Sequence, residues 1–298
     1  MRHLILVVLV SMGLSISGNV EHCAGQEPDA GPRLKFWDDL FGSRNHSSEN
    51  ETCRERIETE RHDFTQSTKT VGRGVAQIEA GYSYFYKDED DEIENSHTTP
   101  EMLLRLGLTE DIEFRLRWNY AWRFIDDGES LDSGEDMRLS LKLGMTDQEC
   151  CLPESALEIR ATAPTGGGDW STSRVEFGLD YIYGWKIAEK VELYGSTGFA
   201  TDGLGDFSLL PDEPAADWFM MWSQSVALGI ELTERLTFYS EYFGLFSNAL
   251  ADDFSINIYN IGVDFYVNDD FVLDFRAGVG LSPDSDDFFT GIGGGYRF

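Results

Sequence analysis

The sequence predicts an all-β protein: a transmembrane antiparallel β-barrel of about twelve strands, preceded by a signal peptide and a polar periplasmic leader. Three observations carry that prediction. The N-terminus has the make-up of an export segment, strands with period-two alternation run from residue 74 to the end, and their connections alternate between short and long.

The first element is the export segment, assigned to residues 1–25. Met1, Arg2 and His3 give a mildly basic start, residues 4–14 are almost wholly apolar, and small residues follow from Ser15. This is the pattern of a secretory signal peptide, and the apolar run falls short of the roughly 20 residues that cross a bilayer as a helix. Cleavage near Ser17 and cleavage near Gly25 both fit. No later stretch approaches membrane-helix length. The mean hydropathy of −0.31 would suit a soluble protein, but barrel strands alternate between lipid and lumen and so average out.

Residues 26–73 form the leader. It is polar, charged and weakly periodic, as expected of a loosely ordered segment. Within it, Phe36, Trp37, Leu40 and Phe41 flank Asp38 and Asp39 and suggest one amphipathic turn, resting on a membrane or on the barrel mouth. Asn45-His46-Ser47 and Asn50-Glu51-Thr52 match the glycosylation pattern, which in an exported bacterial barrel is a chance match.

The barrel is assigned to residues 74–298. Ile112, Phe114, Leu116 and Trp118 alternate with Glu113, Arg115, Arg117 and Asn119. Met137, Leu139, Leu141 and Leu143 alternate with Arg138, Ser140 and Lys142, and Val175, Phe177, Leu179 and Tyr181 with Arg174, Glu176 and Asp180. Phe271, Leu273 and Phe275 oppose Asp274 and Arg276. Twelve strands are predicted, near 74–87, 98–109, 111–124, 135–146, 155–164, 173–187, 190–202, 217–233, 235–247, 255–267, 270–282 and 287–298.

Alternation alone does not separate a soluble sandwich from a membrane barrel; the connections do. Short turns at 109–111, 188–190, 233–235 and 268–270 alternate with longer polar loops near 88–97, 125–134, 165–172, 203–216, 248–254 and 283–286. Short periplasmic turns and longer external loops are the barrel rhythm. Many of the strands are long enough for a tilted bilayer crossing of about 9–11 residues, whereas sandwich strands average about 5–6. Aromatic residues gather at strand ends, with Trp118, Tyr120 and Trp122 toward the outer rim and Tyr183, Trp185, Tyr296 and Phe298 toward the inner one. Such girdles mark the two membrane interfaces. A terminal aromatic, Phe298, on an alternating last strand looks like the signal read by barrel assembly machinery. The predicted location is the bacterial outer membrane, with its lipid as a partner.

Charge narrows the functions. The chain carries 54 acidic and 23 basic residues, a net of −31, which argues against nucleic acid, whose phosphates demand Lys and Arg. The acid falls mainly between strands, as in the run 88–92. It reads either as a solvated surface that aids export or as a vestibule that attracts cations. No segment has the carboxylate spacing of a calcium loop. The four cysteines, Cys23, Cys53, Cys150 and Cys151, form no CxxC pair, so no structural zinc site and no cofactor are expected.

Several segments carry a family resemblance. Arg61-His62-Asp63-Phe64-Thr65-Gln66-Ser67 leads into Gln77-Ile78-Glu79-Ala80-Gly81-Tyr82-Ser83-Tyr84; Thr99-Pro100-Glu101-Met102-Leu103-Leu104-Arg105 and Gly107-Leu108-Thr109 follow. Ala163-Pro164-Thr165-Gly166, Trp222-Ser223-Gln224-Ser225, Phe243-Gly244-Leu245-Phe246, Asp274-Phe275-Arg276-Ala277-Gly278, Asp286-Asp287-Phe288-Phe289 and the close at Gly291 and Arg297-Phe298 complete the set. Together, over residues 61–298, these resemble the outer-membrane transporter family named for the meta-pathway of phenol degradation, to which the amyloid-subunit secretion pore of pseudomonads is related. The resemblance implies a twelve-stranded barrel acting as a channel or transporter. His62 stands where the family pattern has proline, which bears on the turn into the barrel. The leader has no heptad repeat, so a coiled-coil plug like the secretion pore's is not supported.

Catalysis is disfavoured. The five histidines are His3, His22, His46, His62 and His97, and only His97 lies near a strand, read as a solvated loop position at its external end. Gly166-Gly167-Gly168 lacks the Lys and following helix of a phosphate loop. The candidates for function are charged residues expected to face the lumen: Arg105, Glu113, Arg115, Arg117, Arg138, Lys142, Glu158, Arg160, Arg174, Glu176, Asp180, Glu241, Asp264, Asp274 and Arg276. Opposed charges pair across a barrel and fill it, or line a pathway selective for small-molecule or ion cargo; both readings stand. Cys53 in the leader has Cys150 or Cys151, in the predicted periplasmic turn 147–154, as a possible disulfide partner, which would staple the leader across the inner mouth. Adjacent cysteines rarely bond each other because the small ring is strained. The function expected is a channel or transporter for small solutes, hydrophobic or aromatic ones included; the alternative is a structural or adhesive barrel without an open pore. No lipid-facing interface marks an oligomer.

Overall fold

A strand inside lipid has no water to satisfy its backbone, so a sheet must close on itself. The computed structural model, which describes residues 34–41, 56–61, 64–89, 92–125, 130–201, 221–248 and 253–298, is such a closed sheet. The strands are β1 Ala76–Glu89, β2 Glu92–Gly107, β3 Ile112–Ile125, β4 Ser130–Gly134, β5 Met137–Thr146, β6 Glu154–Ala163 and β7 Glu176–Ala188. They continue with β8 Val191–Ala200, β9 Met221–Thr233, β10 Leu236–Asn248, β11 Asp253–Asn268, β12 Phe271–Gly280 and β13 Phe288–Arg297. Twelve long strands form the ring by antiparallel pairing of neighbours, and β1 closes on β13 from Gln77↔Arg297 to Tyr86↔Phe288. The short β4 pairs only with the upper part of β3, from Tyr120↔Gly134 to Phe124↔Ser130, while β5 pairs with its lower part.

Burial is inside out, which is the physical mark of a membrane barrel. On β7, Phe177 is 64% exposed and its neighbour Glu176 only 3%. On β5, Leu139 and Leu141 are exposed while Arg138, Ser140 and Lys142 are buried, and on β12 Leu273 and Phe275 are exposed while Asp274 and Arg276 are buried. A soluble sandwich would reverse every one of these pairs. The lumen is therefore polar over much of its height, the outside is apolar, and aromatic ladders such as Trp118–Tyr120–Trp122 and Tyr183–Trp185 run along the outer face.

Three sequence expectations are corrected. The predicted loop 88–97 is largely strand: β2 starts at Glu92, and Glu89↔Glu92 closes a tight hairpin. The acidic run hid it, because like charges facing across a ladder are unfavourable and read as loop. His97 consequently lies within β2 and not in a solvated loop. Its ring packs against Tyr82, Tyr84 and Phe124, and its Nδ1 is 2.8 Å from the Tyr82 hydroxyl. The predicted loop 125–134 contains β4.

At the short-turn end, assigned to the periplasm, the helix α1 Lys35–Phe41 occupies the expected amphipathic turn. Lys35 reaches Asp147 at 2.9 Å and Asp111 at 3.3 Å, and Trp37 and Leu40 are exposed beside them. Burial would lower the Lys35 pKa, but the two carboxylates prevail and raise it. No helix among the described residues is long and apolar enough to cross a membrane. The signal peptide, both glycosylation matches, His62, Cys23, Cys53 and the loop 203–216 lie outside the described residues.

Candidate functional site

The end of the leader does not lie loosely in the periplasm; it is threaded into the barrel. The Ile57 amide donates to the Asp269 carbonyl at 2.9 Å, at the short turn between β11 and β12. Arg56 lies over the Tyr266 ring at 3.6 Å and donates to Glu231 at 3.2 Å. From there the chain rises to Phe64 and returns, so that Thr68 meets Glu154 at the mouth and the Gly74 amide meets the Gly107 carbonyl. Ile57, Glu60, Arg61 and Thr65 are all buried.

Backbone placed in a lumen needs partners for its amides and carbonyls, and the wall supplies them from side chains. The amides of Glu60 and Arg61 both donate to one Glu79 carboxylate oxygen at 2.7 Å. The Thr65 amide donates to Glu241, which also accepts from the Asn260 side chain at 2.8 Å. Gln77 and Arg105 donate to the Glu58 carbonyl, Arg105 also to that of Lys69, and the Val71 amide donates to Glu113. Space comes from glycine. A Cβ on Gly81, or on Gly293 opposite it, would lie 2.4 Å from an Arg61 guanidinium atom, and one on Gly295 2.4 Å from the Thr59 methyl.

Charge completes the docking. Glu60 holds three wall cations, Arg115 at 2.6 Å, Lys142 at 2.7 Å and Arg105 at 3.1 Å. Arg61 pairs with Glu101 and Asp274 on opposite sides of β1 and β13. Burial alone would raise the Glu60 pKa; Arg105, Arg115 and Lys142 overcome it and hold the carboxyl far below its usual range.

The predicted lumen residues divide into groups. Arg105, Glu113, Arg115, Lys142 and Glu158 form the network around Glu60, with Arg115 2.9 Å from Glu158 and Arg105 2.7 Å from Glu113. Asp274, Arg276 and Glu241 contact the hairpin on the other side, the last two near Phe64. Asp264 stands opposite Asp274 on the β11–β12 ladder. Arg160 pairs with Asp180, and Arg174 with Glu176 toward the external end. Arg117 and Arg138 line a cavity above the hairpin. Sequence reasoning missed Glu60, Arg61, Glu79 and Glu101. Arg61, Glu79 and Glu101 lie in segments 61–67, 77–84 and 99–105, read only as family features, and Glu60 lies in none of them.

Above this charged layer the lumen turns apolar. Phe85, Met221, Phe243, Leu245, Ile256, Ile258 and Phe289 pack with Trp170 in one buried cluster. Phe64 at the hairpin tip joins it, stacked on Phe243 at 4.8 Å and edge-on to Phe289 at 5.8 Å. Among the described residues, no three His, Cys, Asp or Glu side chains gather as a metal site. Cys151 is free and exposed, whereas Cys150 is disulfide-bonded to a cysteine outside the described residues.

Residues 59–298 match the family described as "Putative MetA-pathway of phenol degradation". An outer-membrane channel from Pseudomonas putida F1 shares the fold, with a TM-score of 0.60 and 14% identity over 78% of this chain and 98% of that one. The translocator domain of the autotransporter NalP from Neisseria meningitidis is similar at a TM-score of 0.51 and 10% identity, over 76% of this chain and 89% of that one. No curated protein matches the sequence.

Removing one member of a buried ion cluster typically costs about 3–5 kcal/mol. Glu60→Gln is therefore expected to release the hairpin while leaving the strands intact. Limited trypsin digestion of the folded protein checks it: cleavage after Arg61, absent in the wild type, appears in the variant. Equal resistance would show that Glu60 does not hold the hairpin.

Proposed function

The chain belongs to this phenol-degradation family of outer-membrane β-barrels, and on that premise we propose that it is a channel for small solutes, hydrophobic or aromatic ones in particular, seen here in a closed state. The observation that carries the reading is the docked leader. Its hairpin is held by ion pairs and hydrogen bonds to wall side chains and not by continuing the sheet, so it can leave without opening the barrel. The apolar cluster above it favours hydrophobic cargo over hydrated ions, since narrow apolar passages exclude ions by dewetting. The density of buried pairs also suits the alternative, a structural barrel whose interior is simply filled.

Cys53 stands three residues before the described hairpin, and we assign it as the partner of Cys150, in the periplasmic turn between β5 and β6. A bond there ties the leader to the mouth, so a released hairpin would stay tethered. Non-reducing peptide mapping is expected to yield a Cys53–Cys150 peptide with Cys151 alkylated. A Cys23–Cys150 peptide would replace this assignment.

Planar-bilayer recording tests the channel. The intact mature protein should be silent or nearly so, and a chain lacking residues 56–71 should give discrete conductance steps. A well-folded deletion that stays silent would favour the structural barrel.

A further inference from the structure

One outward-facing side chain of the barrel is covered. On β5 the outward Leu139 and Leu141 are 37% and 41% exposed, as lipid-facing positions are in this protein. Ile112, outward on β3 and paired with Leu143, is only 7% exposed. Leu143 and Met145, further down β5, are half-buried. The element that packs on this end of β5, besides its partner strands, is α1.

The helix in turn leaves an apolar stripe uncovered. Lys35 and Phe36 are partly buried, whereas Leu34, Trp37 and Leu40 are exposed. Spaced three apart, these three run along one side of the helix. In water they would be an apolar surface without a partner. The attachment of α1 fixes its depth. Lys35 meets Asp147 of the β5–β6 turn at 2.9 Å, and the Cys151 carbonyl of the same turn accepts the Trp185 indole at 3.1 Å. Trp185 and Tyr183 belong to the outward aromatic ladder, and such rings settle at the membrane interface. The helix is thus tied to the barrel at girdle depth, at the foot of the lipid-facing column Leu139–Leu141.

We propose that α1 is a membrane-interface anchor, with Leu34, Trp37 and Leu40 set into the phospholipid leaflet at the short-turn end and Lys35 fixing the helix to the rim. The stripe continues the barrel's own lipid-facing surface, which identifies lipid as its occupant. Lys35 is engaged by Asp111 and Asp147, and the other charged residues of the helix are Asp38 and Asp39. The attraction is therefore apolar and aromatic and needs no anionic lipid. Anchored there, the leader stays at the rim whether the hairpin at 56–71 is seated or released. The inference is independent of whether the lumen conducts.

Tryptophan quenching of the refolded mature chain in phosphatidylcholine bicelles, open to water on both faces, tests it. The chain has seven Trp, so the emission that Trp37→Phe removes is the reporter. The apolar face of an interfacial helix lies about 5–10 Å into the boundary between headgroups and acyl chains. Bromines on the lipid chains near the headgroups should therefore quench the Trp37 share, bromines at the bilayer centre should quench it less, and aqueous iodide should leave it nearly unchanged. Leu40→Trp adds a reporter instead of removing one, and the emission it gains should follow the same order; it carries the test if Trp37→Phe does not fold. Quenching by iodide and not by lipid bromine would place the stripe in water, and quenching by neither would place it against protein. Either result, or stronger quenching from the bilayer centre, overturns the interfacial anchor.

Discussion

Three cations of the barrel wall, Arg105, Arg115 and Lys142, converge on one carboxylate that the wall itself does not supply. A charge taken out of water is tolerated only when it is paired and hydrogen-bonded. Glu113 and Glu158 meet part of that need, and Glu60 of the leader meets the rest. The reverse holds for Arg61, which answers Glu101 and Asp274. The leader and the wall are thus complementary in charge, and the seating of residues 56–71 follows from that complementarity more than from apolar burial. Its one deep apolar anchor at the mouth is Ile57, beside Tyr266 and Val272.

The same arrangement divides the lumen into two layers. Below lie ion pairs and hydrogen bonds that hold a removable segment. Above lies an apolar cluster that Phe64 enters from beneath. A small cavity lined by Phe64, Phe243, Arg117 and Arg138 sits at their boundary. Glycines on β1 and β13 make this possible by thinning the wall where Arg61 passes. In the last strand, Gly293 and Gly295 are the positions that clear Arg61 and Thr59 of the plug.

Much of the fold was legible because a barrel writes its two faces into alternate residues. Glu176 beside Phe177, and Lys142 beside Leu141, announce lumen and lipid without reference to any partner strand. What stayed hidden was whatever depends on pairing across the interior. Glu92 opens a strand within an acidic run because the β1–β2 hairpin holds it there, against the local charge pattern. Glu60 and Arg61 looked like ordinary polar leader residues, since a segment held by side chains on several distant strands leaves no period of its own. The inward list from Arg105 to Arg276 identified the wall but not its division into residues engaged by the hairpin and residues facing the cavity.

Native-state hydrogen exchange of the refolded protein, read at the amides of residues 57–71, tests the account most directly. A docked hairpin predicts that the amides of Glu60, Arg61, Thr65 and Val71 are protected to nearly the same degree as those of β1 and β13. Exchange of these amides at the rate of an unstructured peptide, with the strands protected, would show that the leader does not occupy the lumen.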